Sequence, residues 1–420
     1  MEAKRIGFVS TRLAGTDGVS LEASKLAHVL ERMGHQCFFM AGELDTDPSR
    51  SLLVPSCHFK HPGVLEVYDG CFANSKRLPR VSRKCDDLKG VLKQSLRDFV
   101  DTYELDLIIP ENALTIPLNI PLGLAITEYL LEFGTPAIAH HHDFYWERSR
   151  YTRNACVDYL NAAFPPRLTT IQHMVINSSQ AEQLSLRAGI SATVVPNVMD
   201  FGNPPRPVDG YADDFFEQMG IPEDHRLILQ PTRLIQRKGI EHAVELTHRL
   251  DLPATLLISH SSGDEGDDYA IRIREYSEVM GVNTICCGDR IDDERGTTAD
   301  GKKVYSLRDV FGIADIVTYP STVEGFGNAF LEAVYYRKPI VVNNYAIYDL
   351  DIRPKGFRTI EMDHYMTSNT VRQAREVLAN KELAEEMVEI NYKLGRRYFS
   401  YEVLEQQLAT LLMNCFGRSC

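Results

Sequence analysis

Short apolar runs alternate with segments of helical periodicity along most of this 420-residue chain. In the first half, six such runs predict β-strands, at residues 5–10, 36–41, 105–110, 137–140, 174–177 and 193–196. Between the first two, residues 19–33 repeat apolar side chains at helical spacing, and Gly34 stands at the position of a helix C-cap. Strands and helices that alternate in this way predict a parallel sheet flanked by helices.

A change of composition at residues 201–225 divides this pattern in two. Prolines at positions 204, 205 and 207 predict a stiff, extended connector, and an acidic segment follows it. The alternation then resumes, with strands predicted at 227–231, 254–259, 284–287, 316–320 and 340–343, and residues 370–416 are helical and amphipathic. We therefore expect two α/β domains, 1–200 and 226–395, joined by the linker 201–225.

The composition is ordinary for a globular protein and argues against several classes. Apolar residues make up 44% and charged residues 25%, and a length of 420 residues is enough for two or three domains. A net charge of −13 argues against nucleic-acid binding, and no segment approaches the roughly 20 apolar residues of a membrane span. There is no signal-peptide region at the N-terminus and no C-x-x-C pair among nine cysteines, so we expect a cytoplasmic protein with reduced thiols.

Two glutamates flank a glycine-rich corner after the strand predicted at 316–320. Glu324 lies in the corner with Gly325 and Gly327. Glu332 lies eight positions later, about two turns along a helix. Ligands of open α/β sheets bind at the carboxyl ends of strands, beside helix N-termini that favour anions. Carboxylates suit hydroxyl groups, so the placement indicates a ligand with both phosphates and hydroxyls. The alternative is a tight turn with helix-capping acids.

Two basic residues follow the strand predicted at 227–231. Arg233 and Lys238 are five positions apart and can clamp a diphosphate, the arginine with its fork and the lysine as a point charge. Arg237 lies between them and is interpreted as a bystander. The alternative is a solvated loop with surface bases.

The turn after the first predicted strand contains Gly15, Asp17 and Gly18 and leads into a helix. Glycines let the backbone approach a ligand, and free N–H groups at a helix start can bind phosphate oxygens. The alternative is a purely structural turn. Because G-x-G-x-x-G is absent, a dinucleotide-dependent dehydrogenase ranks last among the candidate functions.

A histidine run and an arginine-aromatic cluster follow the strand predicted at 137–140. Side chains alternate along an extended segment, so residues 140–142 cannot all bind one ion, and we predict no metal site. One histidine instead points into the ligand site as a hydrogen-bonding group. Beyond it, three arginines accompany two large aromatic residues and indicate either an anion site with an aromatic wall or an exposed helical face. They are Arg148, Arg150 and Arg153, with Tyr145 and Trp146.

Together these segments resemble glycosyltransferase family 4, retaining enzymes of the GT-B fold that use nucleotide sugars. The resemblance covers nearly the whole chain. Its most specific part is Pro-Ser-x-x-Glu-Gly-Phe-Gly-x-x-x-x-Glu, which matches the family's E-x₇-E signature at Glu324 and Glu332. Supporting matches are His142-Asp143, residues 195–200, and Arg233 with Lys238 and Gly239.

The resemblance implies two Rossmann-like parallel-sheet domains that face a cleft and close about the linker. It also implies that a C-terminal helix, residues 396–420, crosses back to the first domain. The chain departs from the family pattern at two places. Residues 195–200 lack the usual glycine, and Asp17-Gly18 replaces a glycine pair in the first turn.

The resemblance further implies the role of each site residue. Glu332 accepts hydrogen bonds from ribose, Arg233 and Lys238 neutralise the diphosphate, and His142 meets a hydroxyl of the transferred hexose. No residue is assigned as a carboxylate nucleophile, because in this family the leaving phosphate is thought to act as the base. The implied catalytic residues are Arg233, Lys238, Glu324 and His142, and the implied donor-binding residues are Gly18, Arg233, Lys238, Glu324, Gly325, Phe326, Gly327 and Glu332.

The acceptor is expected to be small, hydrophilic and anionic, because arginines cluster after His142. The residues assigned to it are Arg12, Asp17, Tyr145, Trp146, Arg148, Arg150 and Arg153. The first turn and residues 140–146 are also similar to compatible-solute enzymes of the mannosylglucosyl-phosphoglycerate synthase type. This second resemblance favours GDP-mannose over UDP-glucose as donor.

We thus predict a retaining transferase of mannose or glucose, with a nucleotide sugar as co-substrate. No tightly bound cofactor is expected, and the fold requires no divalent metal. Oligomerisation is left open. The alternatives are a nucleotide-sugar epimerase of the same fold and a non-catalytic nucleotide-sugar binding protein.

Overall fold

The computed structural model of the protein describes residues 2–15, 17–261 and 266–417. Thr16 of the predicted first turn and the last three residues of the predicted segment 396–420 lie outside the described residues. The chain divides into two compact units, Met1–Val198 with Tyr401–Cys420, and Met199–Ser400. Among the described helices, none is both long enough and apolar enough to cross a membrane.

In the part of the first unit that the structure describes, seven strands form one sheet. They are β1 (Arg5–Val9), β2 (Gln36–Ala41), β3 (Ser51–Leu53), β4 (Leu107–Pro110), β5 (Ala137–His141), β6 (Ile171–Val175) and β7 (Ala192–Val194). Every pairing is parallel, and the order across the sheet is β3-β2-β1-β4-β5-β6-β7. The central strands are buried on both faces, which explains their continuous apolar runs.

Helices cover both faces of this sheet. They are α1 (Gly18–Arg32), α2 (Pro62–Phe72), α3 (Pro79–Tyr103), α4 (Ile120–Phe133), α5 (Val157–Ala163), α6 (Ser178–Ala188) and the C-terminal helix (Tyr401–Phe416). Leu404 and Leu408 of the C-terminal helix share a core with Leu30 of α1 and Phe8 of β1. Residues of α3 and α4 form a second core with Val9, the next residue of β1, because successive strand residues point to opposite faces.

The described residues of the second unit form nine strands in two sheets. They are β8 (Arg226–Gln230), β9 (Ala254–Ile258), β10 (Asn283–Cys286), β11 (Ile291–Asp292), β12 (Gly296–Thr297), β13 (Lys303–Ser306), β14 (Ile316–Tyr319), β15 (Ile340–Asn343) and β16 (Ile360–Met362). The main sheet is parallel, in the order β10-β9-β8-β14-β15-β16, and β11-β13-β12 form a small mixed sheet.

The helices of the second unit are α7 (Phe215–Met219), α8 (Ile240–Arg249), α9 (Asp268–Met280), α10 (Leu307–Ile313), α11 (Asn328–Tyr335), α12 (Ser368–Ala379) and α13 (Lys381–Tyr398). Each main sheet has the doubly wound order, in which the direction of strand addition across the sheet reverses beside the first strand. These switch points lie between β1 and β4 and between β8 and β14. In such sheets, ligands bind beyond the carboxyl ends of the strands at the switch point.

The segment predicted as the linker 201–225 belongs to the second unit. It contains α7, and its polar groups contact the small sheet. Tyr211 donates a hydrogen bond from its hydroxyl to the Val304 carbonyl at 3.0 Å, and Arg295 pairs with Asp209 at 2.7 Å. The helix beginning at Tyr401 belongs to the first unit.

The predicted fold class, two Rossmann-like parallel-sheet α/β domains, is confirmed by these two sheets. The sequence missed β3, β16 and the small sheet. These strands have only two to four residues each, too few for a period to emerge from the pattern. The predicted long strands differ from the observed ones mainly by one or two residues at their ends.

Candidate functional site

In the second unit, the loops after β8 and β14 lie against each other at the switch point. Gly239 has φ of +59°, and a Cβ at this position would lie 2.6 Å from the Pro320 carbonyl oxygen. Nearby, the Thr322 amide donates a hydrogen bond of 2.9 Å to the Arg237 carbonyl. Because Gly239 has no side chain, the loop after β8 can lie directly against the loop after β14.

A buried carboxylate lies between two cations at this junction. The side chains of Glu324 and Lys238 are 10% and 11% exposed and form an ion pair. Arg237 binds the other carboxylate oxygen of Glu324 at 3.1 Å. The interpretation of Arg237 as a bystander needs revising on geometry, because its guanidinium shares the carboxylate with Lys238.

These cations keep the carboxylate ionised. Burial raises the pKa of Glu324, but the charges of Lys238 and Arg237 and the hydrogen bond from Lys238 outweigh it and hold the pKa below its usual range. Arg233 lies in the same loop, exposed, and forms no ion pair with any residue that the structure describes. Three cations and one carboxylate leave this surface with a net positive charge, as an anionic ligand requires.

His260 was not identified from the sequence and lies beside these cations. It follows β9, the strand next to β8, and its Nδ1 lies 2.7 Å from the Ser259 hydroxyl. Burial, with the charges of Arg233 and Lys238, lowers its pKa, so the ring is neutral at pH 7. The same strand-end criterion that selected Arg233 would have found it.

The glycine-rich corner is held from beneath by two residues that follow β15 or end it. The Tyr345 hydroxyl donates to the Phe326 carbonyl at 2.6 Å, and the Asn343 side-chain amide donates to the Ser321 carbonyl at 3.0 Å. Gly327 has φ of +137°, and a Cβ there would lie 2.4 Å from the Tyr345 hydroxyl oxygen. The corner thus positions the start of α11, the helix that carries Glu332.

In the first unit, the ends of β4 and β5 bring together Glu111, His140 and His142. Glu111 follows β4 and is 0% exposed. Its carboxylate lies 3.0 Å from His140 Nδ1 and 3.2 Å from His142 Nε2. His141 points away from this group and lies 2.9 Å from His173 Nδ1. Sequence reasoning selected His142 but missed Glu111.

The charge of Glu111 is shared with the two rings. Burial raises the pKa of the Glu111 carboxyl, but His140 and His142 outweigh it and lower the pKa to about 2. Burial lowers the pKa of His140 despite this carboxylate. For His142 the hydrogen bond and charge of Glu111 outweigh burial and raise the pKa. Among the described residues, only these three place three potential metal-binding atoms within 4.8 Å of one another, and their contacts are those of a hydrogen-bonded network.

In the predicted first turn, the polar side chains bind one another and the start of α1. Asp17 caps α1 by accepting hydrogen bonds from the amides of Val19 and Ser20, at 3.1 and 3.3 Å. Arg12 pairs with the same carboxylate at 3.0 Å. Gly18 is the first residue of α1. Arg12 and Asp17, both assigned to the acceptor, are therefore already paired with each other.

The arginine-aromatic cluster divides in a similar way. Arg148 pairs with Asp143, and Trp146 stacks on Phe144 with ring centroids 4.4 Å apart. The Trp146 indole also donates to Gln183 at 2.9 Å. Tyr145 is half-buried.

The remaining arginines, Arg150 and Arg153, are exposed and form no ion pair with a residue in the described ranges. They are therefore the cations of this cluster best placed to receive an anion.

The two doubly wound sheets define a class of protein, the GT-B glycosyltransferases. A carboxylate between two cations lies at the switch point of one sheet, and a histidine network lies at the ends of β4 and β5 of the other. Residues 301–394 match the family model described as glycosyl transferases group 1. A glycosyltransferase from Rickettsia africae has the same fold, with a TM-score of 0.71 over 100% of both chains at 13% identity.

Two curated relatives define the family more closely. A mannosylglucosylglycerate synthase of Petrotoga mobilis is 30% identical over 379 residues, which are 85% of this chain and 86% of the relative. One of Thermotoga maritima is 29% identical over 443 aligned positions, 96% of this chain and 99% of the relative. The chain belongs to the family of group 1 glycosyltransferases that includes these mannosylglucosylglycerate synthases.

Proposed function

We propose that this protein is a retaining glycosyltransferase that moves mannose from GDP-mannose to a small anionic acceptor of the glucosylglycerate type. The observation that carries the proposal is the buried Glu324 carboxylate between Lys238 and Arg237, with Arg233 exposed beside it. This arrangement supplies cations for a diphosphate and a carboxylate for sugar hydroxyls at the switch point of one sheet.

In this proposal the donor diphosphate binds Arg233 and Lys238. Glu332 accepts hydrogen bonds from the ribose hydroxyls. Glu324, with the backbone amides of the corner at Gly325, Phe326 and Gly327, holds the hexose. Because Lys238 and Arg237 already neutralise Glu324, the ligand meets a carboxylate fixed in position rather than a mobile one.

The chemistry is dominated by charge that develops on departure of the diphosphate. The transition state is an oxocarbenium-like sugar that separates from an anionic leaving group. Arg233 and Lys238 stabilise that anion by preorganised charge, and the departing phosphate takes the proton of the acceptor hydroxyl on the same face of the sugar. This accounts for retention without a carboxylate nucleophile.

The acceptor assignment rests on the names of the relatives and on two arginines. A mannosylglucosylglycerate contains mannose, glucose and a glycerate carboxylate. In the proposal, Arg150 and Arg153 receive the carboxylate, since neither is engaged by an acid among the described residues. Arg12 and Arg148, each held by an aspartate, contribute less.

The test is release of nucleoside diphosphate by the purified protein. GDP-mannose and UDP-glucose are each incubated with glucosylglycerate, with its phosphorylated analogue or without acceptor, in the presence of EDTA or Mg²⁺. The proposal expects GDP release that depends on glucosylglycerate. Release without any acceptor indicates hydrolysis of the donor. Conversion of the donor to an epimeric nucleotide sugar without net release favours an epimerase, and binding without either reaction favours a non-catalytic binding protein. Loss of activity in EDTA alone contradicts the predicted metal independence.

A matched pair of variants ties activity to the site. Glu324→Gln keeps the side-chain shape and removes the charge between the cations, so turnover should fall by about 10²–10³. Glu128→Gln removes a carboxylate that pairs with Lys89 on the first unit, at 2.6 Å, and should leave turnover unchanged. Equal turnover of the two variants would show that Glu324 has no role in the reaction.

A further inference from the structure

The proposed function gives no role to Glu111, although its position is unusual. The carboxylate is completely buried at the end of β4, and a buried charge is costly unless it is paired and hydrogen-bonded. Its partners are the two histidines that end or follow β5, His140 and His142. The Ser10 hydroxyl also donates a hydrogen bond of 2.9 Å to the Glu111 carbonyl, so its backbone is fixed as well.

His142 is held at three points. Its Nε2 lies 3.2 Å from Glu111 Oε2, its amide donates to Asn112 Oδ1 at 3.2 Å, and its carbonyl accepts from the Gln180 side chain at 2.9 Å. Glu111 and Asn112 are consecutive, so one short segment after β4 fixes both the backbone and the ring of His142. A ring held in this way has one orientation rather than several.

The contacts also select the proton-bearing nitrogen. An ionised carboxylate only accepts hydrogen bonds, so Nε2 of His142 must carry hydrogen toward Glu111. Nδ1 makes no hydrogen bond with a residue that the structure describes, and the side chain is 10% exposed. Nδ1 is therefore the nitrogen left for a ligand.

We infer that Glu111 is a positioning residue that fixes the tautomer and orientation of His142, so that His142 Nδ1 is the atom that meets a hydroxyl of the transferred hexose. The inference deepens the proposed function and rests on it. His140 completes the arrangement by donating from Nδ1 to the same carboxylate, 3.1 Å from Oε1 and 3.0 Å from Oε2, which further fixes the carboxylate.

The surrounding carboxylates also favour the protonated form of the His142 ring. Burial opposes protonation of His142, but Glu111 at the end of β4, Glu22 on α1 and the neighbouring Asp143 all favour it and raise its pKa. His140 lies beside it with its pKa lowered by burial and adds little opposing charge at neutral pH. With Glu111 ionised, Nδ1 of His142 can donate when the ring is protonated and accept when it is neutral.

The first test observes the ring directly and needs no activity. Histidine side chains are labelled with ¹⁵N, and the His142 resonance is identified by its loss in His142→Gln. The titration is followed to alkaline pH, where the ring is neutral. The inference expects the proton on Nε2 in wild type, and a lower pKa with a mixture of tautomers in Glu111→Gln. A neutral His142 with its proton on Nδ1 in wild type would overturn it.

The second test separates positioning from simple structural support. With His142 present, Glu111→Gln should lower kcat by about 10- to 100-fold while KM for the donor changes less than about threefold. The loss is smaller than the roughly 10²–10⁴-fold contribution of an acid–base group, because His142 itself is retained. The double variant Glu111→Gln/His142→Gln should be no slower than His142→Gln alone, because Glu111 acts through that ring. Glu128→Gln serves as the control. Losses that multiply would overturn the inference.

A third arm addresses a metal ion at the same three side chains. Wild type and Glu111→Gln are equilibrated with Zn²⁺ or Mn²⁺, dialysed, and analysed for bound metal. No metal retained by wild type in excess of Glu111→Gln supports the hydrogen-bonded arrangement. One equivalent retained by wild type alone would overturn it. Failure of the proposed function is seen separately, as wild type that transfers no sugar while its His142 tautomer is as expected.

Discussion

Replacing Lys238 by methionine tests how much this cation stabilises the buried carboxylate of Glu324. Methionine keeps the length and apolar stem of the side chain but removes one of the two cations that hold Glu324. Loss of one partner from a buried ion pair costs about 3–5 kcal/mol. Because Arg237 remains 3.1 Å from the carboxylate, we expect about 2–3 kcal/mol at pH 7.

The loss of stability in Lys238→Met should depend on pH. Glu324 has a pKa lowered by folding, so its contribution to stability is present above its unfolded pKa and is lost as pH falls through the folded pKa. The variant loses most of that contribution. The difference in the free energy of unfolding between wild type and variant should therefore be largest near neutrality and shrink below about pH 4.5.

The assay is thermal unfolding at pH 7 and pH 4 by calorimetry. For a unit of about 200 residues, 2–3 kcal/mol corresponds to a decrease in Tm of about 4–12 °C. Lys89→Met is the matched control, because Lys89 pairs with the partly exposed Glu128 and surface pairs contribute about 0–1 kcal/mol. The double variant Lys238→Met/Glu324→Gln should recover part of the loss. Equal destabilisation at both pH values, with no recovery in the double variant, would show that the ion pair with Glu324 is not the cause of the loss.

Three further predictions follow from individual residues. Arg233→Ala should lower turnover by about 10²–10³, measured as GDP release, and activity within a few-fold of wild type would remove it from the mechanism. Gly239→Ala should lower both Tm and activity, because the new Cβ would lie 2.6 Å from the Pro320 carbonyl oxygen. Gly281→Ala has a similar φ, and no described atom lies within 4 Å of its new Cβ, so it should cost only about 1 kcal/mol. Arg150→Ala/Arg153→Ala should raise KM for the anionic acceptor by about tenfold at unchanged donor KM; an unchanged acceptor KM would exclude these arginines.

The fold was predictable because long apolar strands alternate with helices throughout the chain. The strand-end criterion also selected Lys238 and Glu324, which are in contact in the structure. It understated Arg237, because spacing along a loop does not show that both of two adjacent cations reach a carboxylate 86 or 87 positions away.

Glu111 shows the limit of the same reasoning. It directly follows the strand predicted at 105–110, yet its importance depends on β4 lying beside β5 in the sheet. The order of strands is a three-dimensional property that strand lengths and periods do not contain. Once the order is known, a carboxylate after β4 and histidines after β5 are expected neighbours.

If mannose is transferred with retention of configuration, the anomeric configuration of the product shows it. Proton NMR is used to follow a reaction with GDP-mannose and glucosylglycerate from its first minutes. We expect an α-mannosyl product that appears at the same rate as GDP, and a rate about 10²–10³-fold lower in Glu324→Gln. A β-linked product, or GDP that accumulates with free mannose and no linked sugar, would contradict it.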